Sequence, residues 1–288
     1  MEPTDAVPEV MRSHKALRSP PHAGDIFLET HPFFMPSHKA GATPLPEVYD
    51  MSEQLKPPRD QGARSTCVSF ASAAMKEYQE KQDINLVTHM SPEYIYSFRS
   101  TKSEGPDEGM YGRDAMQILQ NYGSVPESYL PYRPHTADIP KPVIDKLTPI
   151  AANFKVKSFA QVTSIDGLKQ SLFKCGPCLI LFPVYSTKPE FWRKANDKDP
   201  SQGGHGVCVI GYNKEGFIIR NSWGPKWNGT GTVIYPYSDW GAAWEIWSSM
   251  DAKSQPVNLT TSGIVFDAVE TVEAGIWANL KICPCTLL

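Results

Sequence analysis

Gln61-Gly62-Ala63-Arg64-Ser65-Thr66-Cys67 decides how this chain is read. Two later stretches belong with it: Gly203-Gly204-His205-Gly206-Val207 and Asn221-Ser222-Trp223-Gly224. A thiol, an imidazole and a carboxamide are the groups that a thiolate nucleophile needs. The sulfur attacks, the imidazole takes its proton, and the amide oxygen holds the other ring nitrogen in one tautomer. Gln61 precedes the thiol by six residues and carries an N–H that can stabilise an oxyanion. The glycines around His205 leave the backbone open to an approaching chain.

Around these motifs the sequence reads as helices first and strands later. Cys67 opens a predicted helix, with Phe70, Ala71, Ala74, Met75 and Tyr78 forming one buried stripe. The positive end of that helix favours a thiolate. Ser91-Pro92-Glu93 is a capped helix start. Asp114–Tyr122 is a short helix stopped by Gly123, Tyr129–Tyr132 a loop, and Asp166–Lys174 a further helix. Strands are expected at Cys178–Val184, Val207–Tyr212, Gly216–Arg220 and Gly231–Tyr235. This order implies an α+β protein with two lobes.

The three motifs resemble the papain-like cysteine peptidases. That family's nucleophile run is Gln-Gly-x-Cys-Gly-Ser-Cys-Trp. Here Arg64 stands for its first cysteine, Ser65-Thr66 for Gly-Ser, and Val68 for the tryptophan. Asn221-Ser222-Trp223-Gly224-Pro225-Lys226-Trp227 matches almost completely, and the two glycines before His205 are most similar to the cathepsin B branch. The resemblance runs from about Pro46 to about Trp247. It implies a helical lobe over about 60–150 and an antiparallel β-barrel-like lobe over about 151–288, with the cleft between. It also implies hydrolysis of peptide bonds through an acyl-enzyme, with Cys67, His205, Asn221 and Gln61 as the catalytic set. Trp223 would cover the His205–Asn221 hydrogen bond. No cofactor is expected.

Subsites follow from the same resemblance. Glu108-Gly109-Met110-Tyr111 stands where the family pairs its backbone with substrate, so Gly109 and Met110 are candidates, with Gly204 and Trp223 on the other side. Glu245 falls near the main specificity pocket, where it would accept a basic side chain; its alternative is a solvated loop glutamate. Arg133–Pro142 holds only His135, not the paired histidines that confer dipeptide removal in cathepsin B, so endopeptidase action is expected. A catalytically silent binding protein on the same fold, or an acyltransferase or deamidase using the same groups, remain the alternatives.

Residues 1–45 differ in character. They hold Pro20-Pro21, Pro32, Pro36, Pro44 and four histidines without helical or strand period. They are expected as an extended arm, either a disordered leader or a segment across the cleft, with Ile26-Phe27-Leu28 and Phe33-Phe34-Met35 able to fill apolar subsites. Residues 46–288 are expected as the catalytic domain.

Composition excludes other classes. The 288 residues are 41% hydrophobic and 20% charged with a net charge of −3, ordinary for a globular protein. No basic block interleaves with aromatics, so nucleic acid is not an expected partner. No apolar run approaches the ~20 residues that cross a bilayer, so neither is a membrane. A monomer is expected, with peptides or proteins as substrates. No apolar signal core is readable in Met1–Pro20. The compartment stays unassigned, although the family includes secreted and lysosomal enzymes. Six cysteines do not make a disulfide scaffold. Cys175-Gly176-Pro177-Cys178 has redox spacing, but a helix is predicted before it and a strand after it, the reverse of a redox motif. Cys283-Pro284-Cys285 is too tight for an ordinary zinc clip, and no metal is expected.

Overall fold

A computed structural model describes residues 13–31, 44–105, 107–133 and 138–253, and two short strands at Ile264–Val265 and Lys281–Ile282. Phe33–Met35, His135, Cys283 and Cys285 lie outside the described residues.

Helix α1, Cys67–Ile84, is the axis of the molecule. Its predicted stripe is an underestimate, because every residue from Cys67 to Glu80 is buried. The helix lies between the two lobes, so its polar side is covered as well. Lys76, Glu77 and Glu80 are buried there through ion pairs. Lys76 pairs with Glu80 and Asp251, both at 2.6 Å. Glu77 accepts from Arg59 at 2.8 Å and from the backbone N–H of Met90 at 3.2 Å, and faces His89 at 3.2 Å. Burying a charge without a partner costs several kcal/mol, so these pairs permit a helix covered on all sides.

The helical lobe adds α2, Pro92–Tyr96, capped by Ser91 Oγ accepting from the Tyr94 N–H, and α3, Gly112–Asn121. It also holds α4, Lys141–Ala151, which the sequence reading missed. Pro142 and Pro149 argue against a helix. Pro142 is harmless in the first turn, where no intrahelical donor is needed. Pro149 near the other end is tolerated because Val143, Ile144, Leu147 and Ala151 bury one face in the lobe's own core.

The β lobe is one antiparallel sheet. Its strands are β1 Tyr49–Asp50, β2 Val156–Gln161, β3 Cys178–Pro183, β4 Gly204–Tyr212, β5 Gly216–Arg220, β6 Thr232–Pro236 and β7 Glu245–Asp251. The order is β2-β7-β3-β4-β5-β6, with β1 on β4. All residues of β3 and β4 are buried. Helix α1 covers one face of these strands and α5, Ile165–Cys175, packs on β3, β4 and β7. Strands β2 and β7 were not predicted: their alternation is weak, since β7 is buried along its first five residues. Glu245 is therefore the first residue of a strand and 5% exposed, not a solvated loop glutamate. Among the described residues, no helix is long and apolar enough to cross a membrane.

The buried Arg59–Glu77 pair generates a prediction. Burial pushes the Glu77 carboxyl up, but the hydrogen bond with His89 and the positive charges of Arg59, His89 and Arg220 take it below its ordinary value of 4.5. A lowered carboxylate stabilises the fold above its unfolded pKa, and that stability is lost as pH falls through the folded value. Glu77→Gln is expected to cost about 3 kcal/mol at neutral pH. The difference from the parent should shrink well below pH 4.5, read by denaturant unfolding at pH 7 and pH 3.

Candidate active site

Cys67 is the first residue of α1, and Thr66 before it has its hydroxyl 2.9 Å from the Tyr132 hydroxyl. Strand β4 runs past that helix end. A Cβ on Gly206 would come 2.9 Å from Val68 Cγ2, so only glycine lets the strand lie so close. The Cys67 sulfur consequently receives a hydrogen bond from the backbone of Gly206, the neighbour of His205.

His205 and Asn221 meet across β4 and β5, with His205 Nε2 2.8 Å from Asn221 Oδ1. That oxygen also accepts from the Ser222 N–H at 2.7 Å, so it faces two donors when Nε2 carries the proton. Trp223 stacks on His205 with ring centroids 4.5 Å apart, and Phe191 meets the same ring edge-on at 5.3 Å. His205, Asn221 and Trp223 are all buried. Gln61 is buried beside them. Its backbone N–H donates to Ser222 O, its Oε1 accepts from Ser222 Oγ at 2.6 Å, and its Nε2 donates to Arg64 O at 2.9 Å. One of its two amide N–H bonds is therefore spent on the loop that leads into Cys67.

That loop is held by side chains that sequence reasoning passed over. Ser65 donates its backbone N–H to Asp107 Oδ1 at 2.8 Å and its hydroxyl to Oδ2 at 3.2 Å. Arg64, buried, pairs with Glu93 at 2.6 Å, donates to Arg133 O and lies over the Tyr96 ring. Asp107 directly precedes the Glu108–Tyr111 run, and that adjacency was the available signal.

Residues 13–19 lie along the groove that these groups line. Ser13 Oγ is 2.5 Å from Ser65 Oγ. Gly204 donates to His14 O and accepts from the Ala16 N–H, both at 3.0 Å, and the Leu17 N–H donates to Met110 O at 3.0 Å. A Cβ on Gly109 would collide with the Lys15 carbonyl oxygen. Ser19 donates to the Glu245 carboxylate from its N–H and, at 3.0 Å, from its hydroxyl, while Arg113 N–H donates to Ser19 Oγ. Of the apolar triplet expected in the groove, Ile26 and Phe27 are 37% and 43% exposed, and Leu28 is buried in the β-lobe core. The groove instead takes residues 13–19, held by backbone hydrogen bonds to Gly204 and Met110 and by side-chain hydrogen bonds at Ser13 and Ser19.

A family model for papain family cysteine proteases matches residues 45–239. The chain belongs to the papain family of cysteine proteases. The papain-family chain is 24% identical over 281 residues to the uncharacterized peptidase C1-like protein L477 of Acanthamoeba polyphaga mimivirus, covering 86% of this chain and 90% of that protein. Among solved structures it is similar to xylellain, a cysteine protease from Xylella fastidiosa. There the TM-score is 0.68 at 23% identity, over 84% of this chain and 97% of that one. Digestive procathepsin L 3 of Tenebrio molitor larval midgut has a TM-score of 0.58 at 19% identity, over 74% and 72% of the two chains. The fold is the papain-like α+β arrangement of two lobes, and the protein is a cysteine peptidase.

The remaining described cysteines are Cys175, Cys178 and Cys208. Cys67, Cys175, Cys178 and Cys208 are all free thiols. Helix α5 ends at Cys175 and β3 starts at Cys178, the order opposite to a redox motif. Burial pushes the Cys178 thiol up to about 12, against the lowered value a redox thiol needs.

With residues 13–19 in place, burial works against the thiolate expected at the helix N-terminus. Burial pushes the Cys67 thiol up to about 11, and hydrogen bonds from the backbone of Gly206, Val68, Cys67 and Ala16 offset only part of that. Full cover of the sulfur disfavours its anion and favours the neutral thiol. The thiolate absorbance near 240 nm, taken as the difference between the parent and Cys67→Ser, is expected to rise only above about pH 10. A plateau at pH 6–8 would show the opposite.

Proposed function

We propose that this papain-family peptidase is an endopeptidase in which Cys67 is the nucleophile, His205 the base and acid, Asn221 the orienting carboxamide, and Gln61 with the Cys67 N–H the oxyanion donors. The reading is carried by the 2.8 Å contact of His205 Nε2 with Asn221 Oδ1, beside a helix N-terminus that presents Cys67 against Gly206. With Nε2–H given to Asn221, the other ring nitrogen takes the proton of the sulfur. The thiolate adds to the scissile carbonyl, and the oxyanion is held by hydrogen bonds. His205 then protonates the leaving amine and activates the water that frees the acyl group. Trp223, stacked on His205, keeps water from the His205–Asn221 bond.

The substrate chain is read as pairing with Gly204 and Met110, which already bond the Ala16 and Leu17 N–H groups. Glu245 is read as the floor of a specificity pocket. Burial raises its pKa, and donors from Ser19 and Trp247 and the charge of Arg113 oppose that. A pocket ending in a carboxylate favours a side chain with N–H or O–H donors, a basic one above all. The glycines before His205 keep the cathepsin B branch as our reading of the nearest relatives.

Residues 13–19 fill this groove in the full chain, so we infer that the chain is latent until they leave. Two observations support latency: Cys67 is 0% exposed, and its neighbour across the groove is the backbone of Ala16.

Cys67→Ala is expected to abolish cleavage of fluorogenic dipeptide substrates, by at least about 10³-fold in kcat, without changing the melting temperature by more than a few degrees. Asn221→Ala should cost less, because it only frees the imidazole to rotate. A parent protein that, once residues 13–19 are removed, neither turns over peptides nor reacts with an epoxide probe at Cys67 would favour a silent binding protein. Product masses showing an amine adduct would favour acyl transfer.

A further inference from the structure

Residues 13–31 consist of two halves that differ in what they touch. The first, 13–19, makes the groove contacts described above. The second, Asp25–His31, begins at the rim of the pocket that holds Glu245, where Asp25 and Phe27 share the lining with Ser19, and from there is built into the catalytic domain. Asp25 receives two hydrogen bonds from the Arg113 guanidinium, at 2.7 and 2.6 Å, and both side chains are nearly covered. The Gln161 N–H donates to Ile26 O at 2.8 Å, and Phe27 bridges Gln161, so this half extends the edge of β2. Leu28 is 1% exposed and packs in the β-lobe core with residues such as Leu168 and Leu172. Glu29 Oε1 accepts from the Thr163 N–H at 2.8 Å and from the N–H and hydroxyl of Ser164 at 2.9 Å, at the start of α5. A carboxylate there satisfies donors that the helix leaves open.

Between the halves, Pro20, Pro21, His22, Ala23 and Gly24 are all exposed. They form a turn closed by Asp25 N–H to His22 O and Gly24 N–H to His22 Nδ1, both 3.0 Å. An exposed turn flanked by anchored backbone is where an endopeptidase gains access.

We propose that the segment Pro21–Gly24 is the processing site of this chain: one cut between Pro21 and Asp25 lets the groove-filling half go and leaves Asp25–His31 as a permanent part of the enzyme. Hydrolysis consumes one water, breaks one peptide C–N bond, and leaves a carboxylate on the departing piece and an ammonium on the retained one. The boundary expected from sequence at about Pro46 is thereby moved upstream, because Leu28 and Glu29 support the β lobe rather than cover the groove. The identity of the groove as the catalytic one rests on the function proposed above; the retention of 25–31 does not.

The test uses the full chain carrying Cys67→Ser, so that it cannot cut itself, with a trace of a broad-specificity endopeptidase. Intact mass and N-terminal sequencing should place the first cut within residues 13–45 between Pro21 and Asp25. The product should keep 25–31 and melt cooperatively. Leu28→Ala in the same background should lower the melting temperature by about 5 °C or more both before and after the cut. Should that variant fail to fold, Glu29→Gln is the milder substitute, expected to lower it by a smaller amount in both forms. A first cut within 32–45 with loss of 25–31 from the product overturns the proposal. So does a cut protein whose melting is indifferent to both substitutions. Neither readout depends on catalysis, so failure of the peptidase reading would leave these outcomes unchanged.

Discussion

The approach of β4 to the first turn of α1 is the contact on which the rest depends. A sheet and a helix normally pack through side chains, which keep their backbones well apart. Here Gly206 removes the side chain at the point of contact, and Val68 fills the space against its bare Cα. One consequence follows from that omission. The backbone of Gly206 reaches the Cys67 sulfur, and His205 is the residue before it in β4. Because β5 is the next strand of the same sheet, the turn after Arg220 brings Asn221 onto His205 without further adjustment. The pairing of Asp60 with Trp223 and of the Gln61 N–H with Ser222 O then ties the loop before Cys67 to the loop after β5.

Charge completes what the glycine permits. A helix between two lobes has no wet face, yet α1 carries Lys76, Glu77 and Glu80. Their partners come from the other elements that meet there: Arg59 and His89 from flanking loops, and Asp251 from β7. The loop before Cys67 is held in a similar way, by Arg64 with Glu93 and by Ser65 with Asp107. Such pairs are costly to break once made, since a single partner left behind is a buried charge. They hold the loop without a covalent link among the described cysteines, all four of which are free thiols.

Covering Cys67 withdraws water from it, and withdrawing water disfavours the anion more than the nearby backbone N–H groups favour it. Burial of the site raises the thiol pKa, while the backbone of Ala16, from the segment that covers the groove, is among the groups that lower it. The neighbouring Leu28 and Glu29 belong to the β lobe, in its core and at the head of α5, while Asp25 is tied to Arg113 of α3.

The sequence alone singled out the candidate reacting groups and determined the order of lobes. Cys67, His205 and Asn221 were legible as candidates because glycine, tryptophan and glutamine at fixed offsets are demanded by backbone approach and hydrogen bonding, which are local needs. Helix α1, the cap at Ser91 and strand Gly216–Arg220 were legible for the same reason: period, cap and turn are properties of neighbouring residues. Only the tertiary structure decided the rest. Helix α4 forms despite two prolines because a lobe core rewards its apolar face, and β7 reads as no strand because its first five residues are buried. Glu245 becomes a buried carboxylate, and Leu28 a core residue, only when distant parts of the chain close over them. Burial and charge pairing are sums over partners far away in sequence, and no local pattern encodes them.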